Sequence, residues 1–391
     1  MTPKTIGSGN LPQALRRVAC AAAGVLLFAG LLLFAGLFFF ASSGQAAERP
    51  FPTLVALGWS QPIASSEGLP TPILVADHES GGHYGGGTLA VSYVTAVVKL
   101  GMTHPLAEAL DVEYRARARY TVEGDARALY VDGNRDSANT FVGDSLALIL
   151  AGHLFPRAPW RLTAEVESLH ARFSGYEDTR RGFDLPSDFR QSEYRLTLSR
   201  VGLLGADEAE LTLTLVAGER EHWSGWALDS AADRAASYRK QMFHAEQPFA
   251  LGESSEFTVE FRYLDGEDLD LFSGYGVGGL AGDYPVGGYF RNEFRAAQAA
   301  ILSVSHQIRF AEDRKLTFYG EAARLREMQL ELPGREPERR TLASVGVGYW
   351  YGIRSLFGLP VIVRYAEGVL VPDGSKETGR RELVVILAAG F

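Results

Sequence analysis

The chain has 391 residues, a single cysteine at Cys20, and 38 basic side chains against 47 acidic ones. One thiol excludes an internal disulfide framework and a cysteine metal site, and the acid excess argues against nucleic acid as a partner. Past residue 47 no stretch reaches the ~20 apolar residues that a membrane-spanning helix requires, although 46% of the chain is hydrophobic.

The first segment has the pattern of an export signal. Lys4, Arg16 and Arg17 precede an apolar run from Val18 to Ala41, and small residues follow up to Ala47. Such a segment reads as a secretory signal peptide, residues 1–47, cut near Ala46 or Ala47. The run is longer than a usual signal core, so an uncleaved anchor is the alternative. Cys20 is no lipoprotein site, because it opens the run instead of ending it and Arg17 lies three residues before it. Cleavage removes three cations and the only thiol, leaving 35 basic against 47 acidic side chains. Residues 48–391 then form one domain, with 48–70 a short N-terminal segment or a first strand.

From there the chain reads as short alternating segments, and a period of two means a strand with two different faces. The clearest is Leu110–Tyr120. Leu110, Val112, Tyr114, Ala116, Ala118 and Tyr120 share one face, while Asp111, Glu113, Arg115, Arg117 and Arg119 share the other. Trp160, Leu162, Ala164 and Val166 alternate with Arg161, Thr163, Glu165 and Glu167. Tyr194, Leu196 and Leu198 alternate with Glu193, Arg195, Thr197 and Ser199. Leu211, Leu213, Leu215 and Ala217 oppose Thr212 and Thr214, and Phe257, Val259, Phe261 and Tyr263 oppose Thr258, Glu260 and Arg262. In 302–310, Leu302, Val304, Ile308 and Phe310 oppose Ser303, Ser305, Gln307 and Arg309, with His306 on the apolar side.

The connections sort by length. Residues 121–142, 173–190, 221–240 and 265–296 are long and polar, whereas 154–159, 203–208, 310–314 and 353–360 are short. Long and short connections in alternation are the asymmetry of an outer-membrane barrel. The last stretch, Leu383, Val385, Leu387, Ala389 and Phe391, is apolar at period two and ends on an aromatic residue, as in the closing strand of such barrels. These features predict an all-β fold: a closed antiparallel transmembrane β-barrel of about sixteen strands, with fourteen as the alternative, since bacterial barrels carry even numbers.

From Phe257 to Phe391 the order of features resembles the C-terminal part of the bacterial surface antigen superfamily. That superfamily includes the barrel-assembly insertases of the BamA/TamA type and the two-partner secretion transporters. The resemblance implies that the loop Asp265–Ala296 folds back into the barrel, carrying Val286-Gly-Gly-Tyr289 where the family has a Val/Ile-Arg-Gly-Phe/Tyr motif. Five strands then follow, at 299–310, 314–326, 340–352, 360–370 and 381–391. Gly287 stands where the family has an arginine that reaches an acidic lumen residue, and Arg291 is the neighbouring cation able to substitute. The family's periplasmic domains have no counterpart between the cleavage site and the first clear strand.

Local motifs for chemistry carry less. Gly143-Asp-Ser-Leu146 matches an esterase motif by letter but opens an alternating strand. Gly274-Tyr-Gly-Val-Gly-Gly279 matches a dinucleotide pattern with no strand-to-helix unit around it. The eight histidines lack metal-ligand spacing, and neither cofactor nor metal is expected. Arg115, Arg117 and Arg119 fit one wall of an anion-attracting constriction, or else pair with inner carboxylates such as Asp111 and Glu113. A catalytic serine–histidine pair of His306 with Ser303 or Ser305 requires His306 to turn inward. The expected function is therefore protein or lipid movement, or assembly, at the outer membrane of a Gram-negative cell. A porin-like solute channel and a barrel lipid hydrolase or acyltransferase stand as alternatives. The expected partners are outer-membrane lipid and lipopolysaccharide, the barrel-assembly machinery and a periplasmic protein.

Overall fold

The structure, a computed structural model, describes residues 53–62, 71–80, 85–92, 95–107, 109–121, 129–131, 134–136, 141–155, 159–175, 179, 185–203, 206–222, 236–270, 272–280, 283–289, 293–328, 339–353, 359–370 and 381–390. The export segment, Arg291 and Phe391 lie outside them. No helix occurs among the described residues. The strands are β1 (Thr53–Pro62), β2 (Thr71–Ser80), β3 (Gly85–Ser92), β4 (Thr95–Ala107), β5 (Leu110–Thr121), β6 (Leu129–Val131) and β7 (Asn134–Asp136). Then follow β8 (Phe141–Leu154), β9 (Trp160–Gly175), β10 (Phe189–Leu203), β11 (Ala206–Glu221), β12 (Ser237–Ala250) and β13 (Ser255–Glu267). The last are β14 (Tyr275–Val277), β15 (Phe294–Ala311), β16 (Arg314–Glu327), β17 (Arg339–Ile353), β18 (Leu359–Gly368) and β19 (Arg381–Gly390).

Seventeen of these strands join one antiparallel sheet, and β6 and β7 form a separate hairpin. Neighbours in sequence are neighbours in the sheet, except that β5 pairs with β8 past the hairpin and β13 pairs with β15 past β14. β1 pairs with β2 on one side and with β19 on the other, in register from Leu54↔Gly390 to Pro62↔Glu382. The five strands expected after the long loop appear as β15 to β19.

Pleating sends successive side chains to opposite faces, and burial follows that alternation. Along β8, Ala147, Ile149 and Ala151 are buried, whereas Leu148 between them is 60% exposed. The exposed face continues through Val166, Tyr194, Leu196, Leu198, Leu213, Leu215, Phe261, Leu302 and Phe318. The opposite face, here the inner face, carries buried Glu165, Glu167, Glu193, Thr214, Arg220 and Glu321. An apolar band outside and charge inside inverts the arrangement of a water-soluble sandwich.

Two tyrosines fill inner-face gaps left by glycine. Tyr238 lies across Gly218 and Tyr319 across Gly346, each directly opposite in register. A Cβ at either glycine would run into the ring, so the pairing of large with absent side chain fixes the register there. From β4 onward the connections at one end of the sheet are short (108–109, 155–159, 204–205, 251–254, 312–313 and 354–358) and those at the other are long, whereas β3 and β4 join at that other end through 93–94 alone. The longest, between β13 and β15, turns back against the inner face and makes the main buried cluster. In it Tyr275, Val277, Val286, Tyr289 and Phe294 pack with Leu264, Ile301, Leu325 and Leu342.

Candidate functional site

The inner face of β5, β9 and β10 carries a lattice of paired charges. Arg115 pairs with Glu165 and with Glu113 at 3.4 Å, and Arg117 with Glu167 at 2.5 Å. Arg195, from β10, closes the lattice on Glu165 at 3.0 Å and Glu193 at 2.6 Å. His153 bridges Glu113 and Thr163 at 3.1 and 3.0 Å. Period two places each of these side chains on the same face, and register brings β5 and β9 to either side of β8, where Arg117 and Glu113 stand opposite the small Ala147 and Ala151 and Arg115 opposite Ile149. Arg115 and Arg117 thus take carboxylates mainly from β9, fifty residues on, instead of Asp111 on their own strand. Asp111 Oδ1 has no partner among the described residues. Arg119 lies on β5, and its side chain is outside the described set.

Beside the lattice a cavity of about 200 Å³ is lined by Arg117, Glu167, Glu193, Tyr238, Lys240 and the Phe272 ring of the long loop. Lys240 sits over the rings of Tyr238 and Tyr275, at 5.2 and 5.6 Å from their centres. Phe272 inserts among Phe141, Phe173 and Phe189, with ring centres 5.2 to 6.2 Å away. This aromatic contact ties the start of the loop to β8, β9 and β10.

Arg220 of β11 makes the charged contact at the same end. It is 6% exposed, donates from Nε to Gln191 at 2.8 Å, pairs with loop residue Asp270, and lies 5.1 Å from the centres of both the Phe189 and Tyr238 rings. Asp270 Oδ1 in turn accepts the backbone N–H of Phe272 and of Ser273, closing a turn at the loop's entry. Farther on, the Tyr275 hydroxyl donates to the Asp265 carbonyl at 2.7 Å, and the Tyr284 hydroxyl reaches Met242 Sδ at 3.2 Å. Burial pushes both phenols up. Tyr284, with Asp283 adding to the effect, rises to about 12.

The expected motif Val286-Gly-Gly-Tyr289 seats the far side of the loop. Val286 is fully buried, and the Gly287 N–H donates to Glu321 Oε2 on β16 at 2.6 Å. The Ser344 hydroxyl on β17 donates to the same oxygen at 2.8 Å. Tyr289 donates to the carbonyls of Ala343, at 3.1 Å, and Leu370. The Leu280 N–H donates to Glu382 Oε2 on β19 at 2.8 Å. Glycine is required at both central positions. A Cβ on Gly287 would stand 2.5 Å from that of Ala366, and Gly288 has φ +79°, where a Cβ would run into the β18 backbone at Glu367 and Gly368. An arginine side chain has no room at 287. Glu321 on the wall thus takes a backbone amide of the loop.

The loop therefore contacts β8–β13 through Asp270, Phe272, Tyr275 and Tyr284, and β16–β19 through Leu280, Gly287 and Tyr289. Sequence reasoning located the loop and its glycines but missed Arg220, Asp270, Glu321, Ser344 and Glu382. Each of these contacts joins residues 23 to 102 positions apart, and no local motif marks any of them.

His306 faces outward, opposite Phe257 and Phe318, so its expected side is correct. Ser303 and Ser305 lie on the inner face. The serine that meets His306 is Ser255, at 2.6 Å, and among the described residues no carboxylate pairs with this histidine. Of the closing stretch, Leu383 and Val385 share the outward face of β19, with Glu382 and Val384 buried on the other. Leu387 and Ala389 continue that strand.

No protein-family model matches the chain, and no curated protein matches its sequence. Solved structures do match. CdiB from Escherichia coli superposes with a TM-score of 0.60 at 14% identity, over 88% of this chain and 64% of that one. CdiB from Acinetobacter baumannii gives 0.59 at 11% identity, over 88% and 61%. BamA from Haemophilus ducreyi, lacking POTRA domains 1–3, gives 0.54 at 11% identity, over 88% and 71%. The chain spans less than two thirds of the length of the two CdiB chains. At such identities the likeness is one of fold alone, an antiparallel β-barrel.

Proposed function

We propose that the chain is an integral outer-membrane β-barrel of the surface-antigen type, closed by the β1–β19 pairing into sixteen strands, and that its 268–293 loop plugs the lumen. The plug is the element through which the barrel acts in protein or lipid movement, or in outer-membrane assembly. The observation that carries this reading is the reach of one loop: Phe272 and Asp270 seated on β8–β11, and Gly287, Tyr289 and Leu280 seated on β16–β19. A connection that merely rims a pore would touch its own neighbours only. The outward apolar band fits lipid, because contiguous exposure of this extent is a liability in water. Closure of the strand ring satisfies backbone groups where no water is available.

Planar-bilayer conductance tests the proposal, using the intact protein and a variant lacking residues 274–293. A nearly closed barrel that opens on deletion supports the plug. A steady open pore in the intact protein replaces it with the porin-like reading. The outward Ser255–His306 pair has no third member, so the hydrolase alternative gains no support from it.

A further inference from the structure

Three glutamates stand directly opposite one another on the inner face, Glu210 on β11, Glu246 on β12 and Glu260 on β13. Like charges placed directly across a sheet repel, so a row of three requires compensation. One position along, the facing row reads Thr212, His244 and Arg262. Thr212 donates to Glu210 at 3.0 Å, and Arg262 pairs with Glu260. His244 remains between the other two, with Nε2 2.7 Å from Glu260 Oε1 and 4.0 Å from Glu246 Oε2. With His244 neutral, three carboxylates face one guanidinium, and the patch lacks two positive charges.

We propose that His244, Glu246 and Glu260 bind a divalent transition cation of the zinc class. One ligand atom from each residue lies within 4.8 Å of the others, and all three are half-buried. Tetrahedral ligation at metal distances near 2.0–2.2 Å separates ligand atoms by roughly 3.4 Å, which small side-chain rotations supply from this starting point. One imidazole with two carboxylates suits a borderline cation such as zinc, nickel or copper better than magnesium or calcium, which prefer all-oxygen shells. Arg262 stays on Glu260 as the outer partner that orients a ligating carboxylate. The ligands come from two strands, His244 and Glu246 at i, i+2 on one and Glu260 across from them. The compact sequence spacings by which zinc sites are recognised do not include this one. The inference rests on strand register and side-chain geometry alone, and it stands whether or not the loop acts as a plug.

The test is zinc titration by calorimetry on the purified, tag-free, EDTA-stripped full barrel in detergent near pH 7.5, alongside the spectrum of bound copper. The expected result is one tight equivalent, weakened at least tenfold by His244→Ala and by Glu246→Gln, with a single imidazole nitrogen in the copper spectrum that His244→Ala removes. If His244→Ala fails to fold, Glu246→Gln and the copper spectrum of the parent carry the test. Absence of zinc binding, binding unaffected by both substitutions, or a copper spectrum without nitrogen would overturn the assignment.

Discussion

Removal of the Glu321 carboxylate is the sharpest test of how the loop is held. Its Oε2 accepts the Gly287 N–H at 2.6 Å and the Ser344 hydroxyl at 2.8 Å, in a place where the residue is only 8% exposed. Hydrogen bonds to a charged acceptor contribute about 1.5–3 kcal/mol each. Glu321→Ala also relieves the cost of holding a carboxylate out of water, which offsets part of the loss. Only the Gly287 bond joins loop to wall, since Ser344 belongs to β17, so the net effect on loop docking is about 2 kcal/mol, or roughly a thirtyfold rise in the undocked fraction at 1.4 kcal/mol per factor of ten. Cys20 is the only native thiol, so a Cys20→Ser chain accepts a unique reporter. Val286→Cys places that reporter at a fully buried loop position. Maleimide labelling of the folded barrel should accelerate by about thirtyfold in Glu321→Ala, with Glu321→Gln in between because it keeps one acceptor oxygen. An unchanged labelling rate would refute the assignment of Glu321 as the loop's seat.

Gly288→Ala should undock the loop as strongly, since φ +79° is strained for alanine and its Cβ meets the β18 backbone; a parent-like labelling rate and conductance would contradict this. Val385→Arg, on the outward face of β19, should lower barrel insertion by roughly 2–4 kcal/mol if that site lies at the bilayer midplane, read as the folded fraction in lipid vesicles. Normal assembly of that variant would count against β19 as a lipid-facing strand. Loop docking should also fall as pH rises from about 10 to about 12. The docked Tyr284 phenol holds its proton to about 12, whereas the free phenol releases it near 10. The proton-linked stabilisation is present below 10 and lost through that window. Tyr284→Phe should flatten this stretch of the conductance–pH curve, and an equally steep curve in the variant would remove Tyr284 as the cause.

Much of the architecture is written at short range. Leu110 to Tyr120 alternates because a pleated strand between two different media needs one kind of residue on each side, and that pattern survives in eleven residues without knowledge of any partner. The same alternation set the phase of His306. It did not say which serine would meet it, because Ser255 reaches it only through the β13–β15 register. The lattice shows the same limit. Arg115 and Arg117 were legible as inner charges, but Glu165 and Glu167 become their partners only through the β5–β8–β9 register, which lets these long side chains meet across the alanines that flank Ile149. The glutamate row across β11–β13 was hidden for the same reason. Glu210, Glu246 and Glu260 are unrelated in sequence spacing and adjacent only after pairing.

The loop's two ends are held by different physics, and the difference follows from where the charge sits. At its entry the wall supplies the cation and the loop the anion: Arg220, buried between two aromatic rings, holds Asp270, which in turn orders the backbone of Phe272 and Ser273. At the far side the wall supplies the anion, Glu321, and the loop offers only a neutral amide, because Ala366 and β18 leave no volume for a side chain at 287. A charge paired with a neutral donor binds less strongly than a fully ionic pair of comparable burial. Substituting Gly287 with a larger residue cannot restore an ionic seat without first displacing Ala366. The entry is thus the firmer anchor, and the Val286–Tyr289 side depends on backbone fit, one amide hydrogen bond to the carboxylate, the Tyr289 hydroxyl on the Ala343 carbonyl, and the burial of Val286 and Tyr289. That asymmetry makes the second half of the loop the part that leaves the wall first, while Arg220 and Asp270 keep the first half in place.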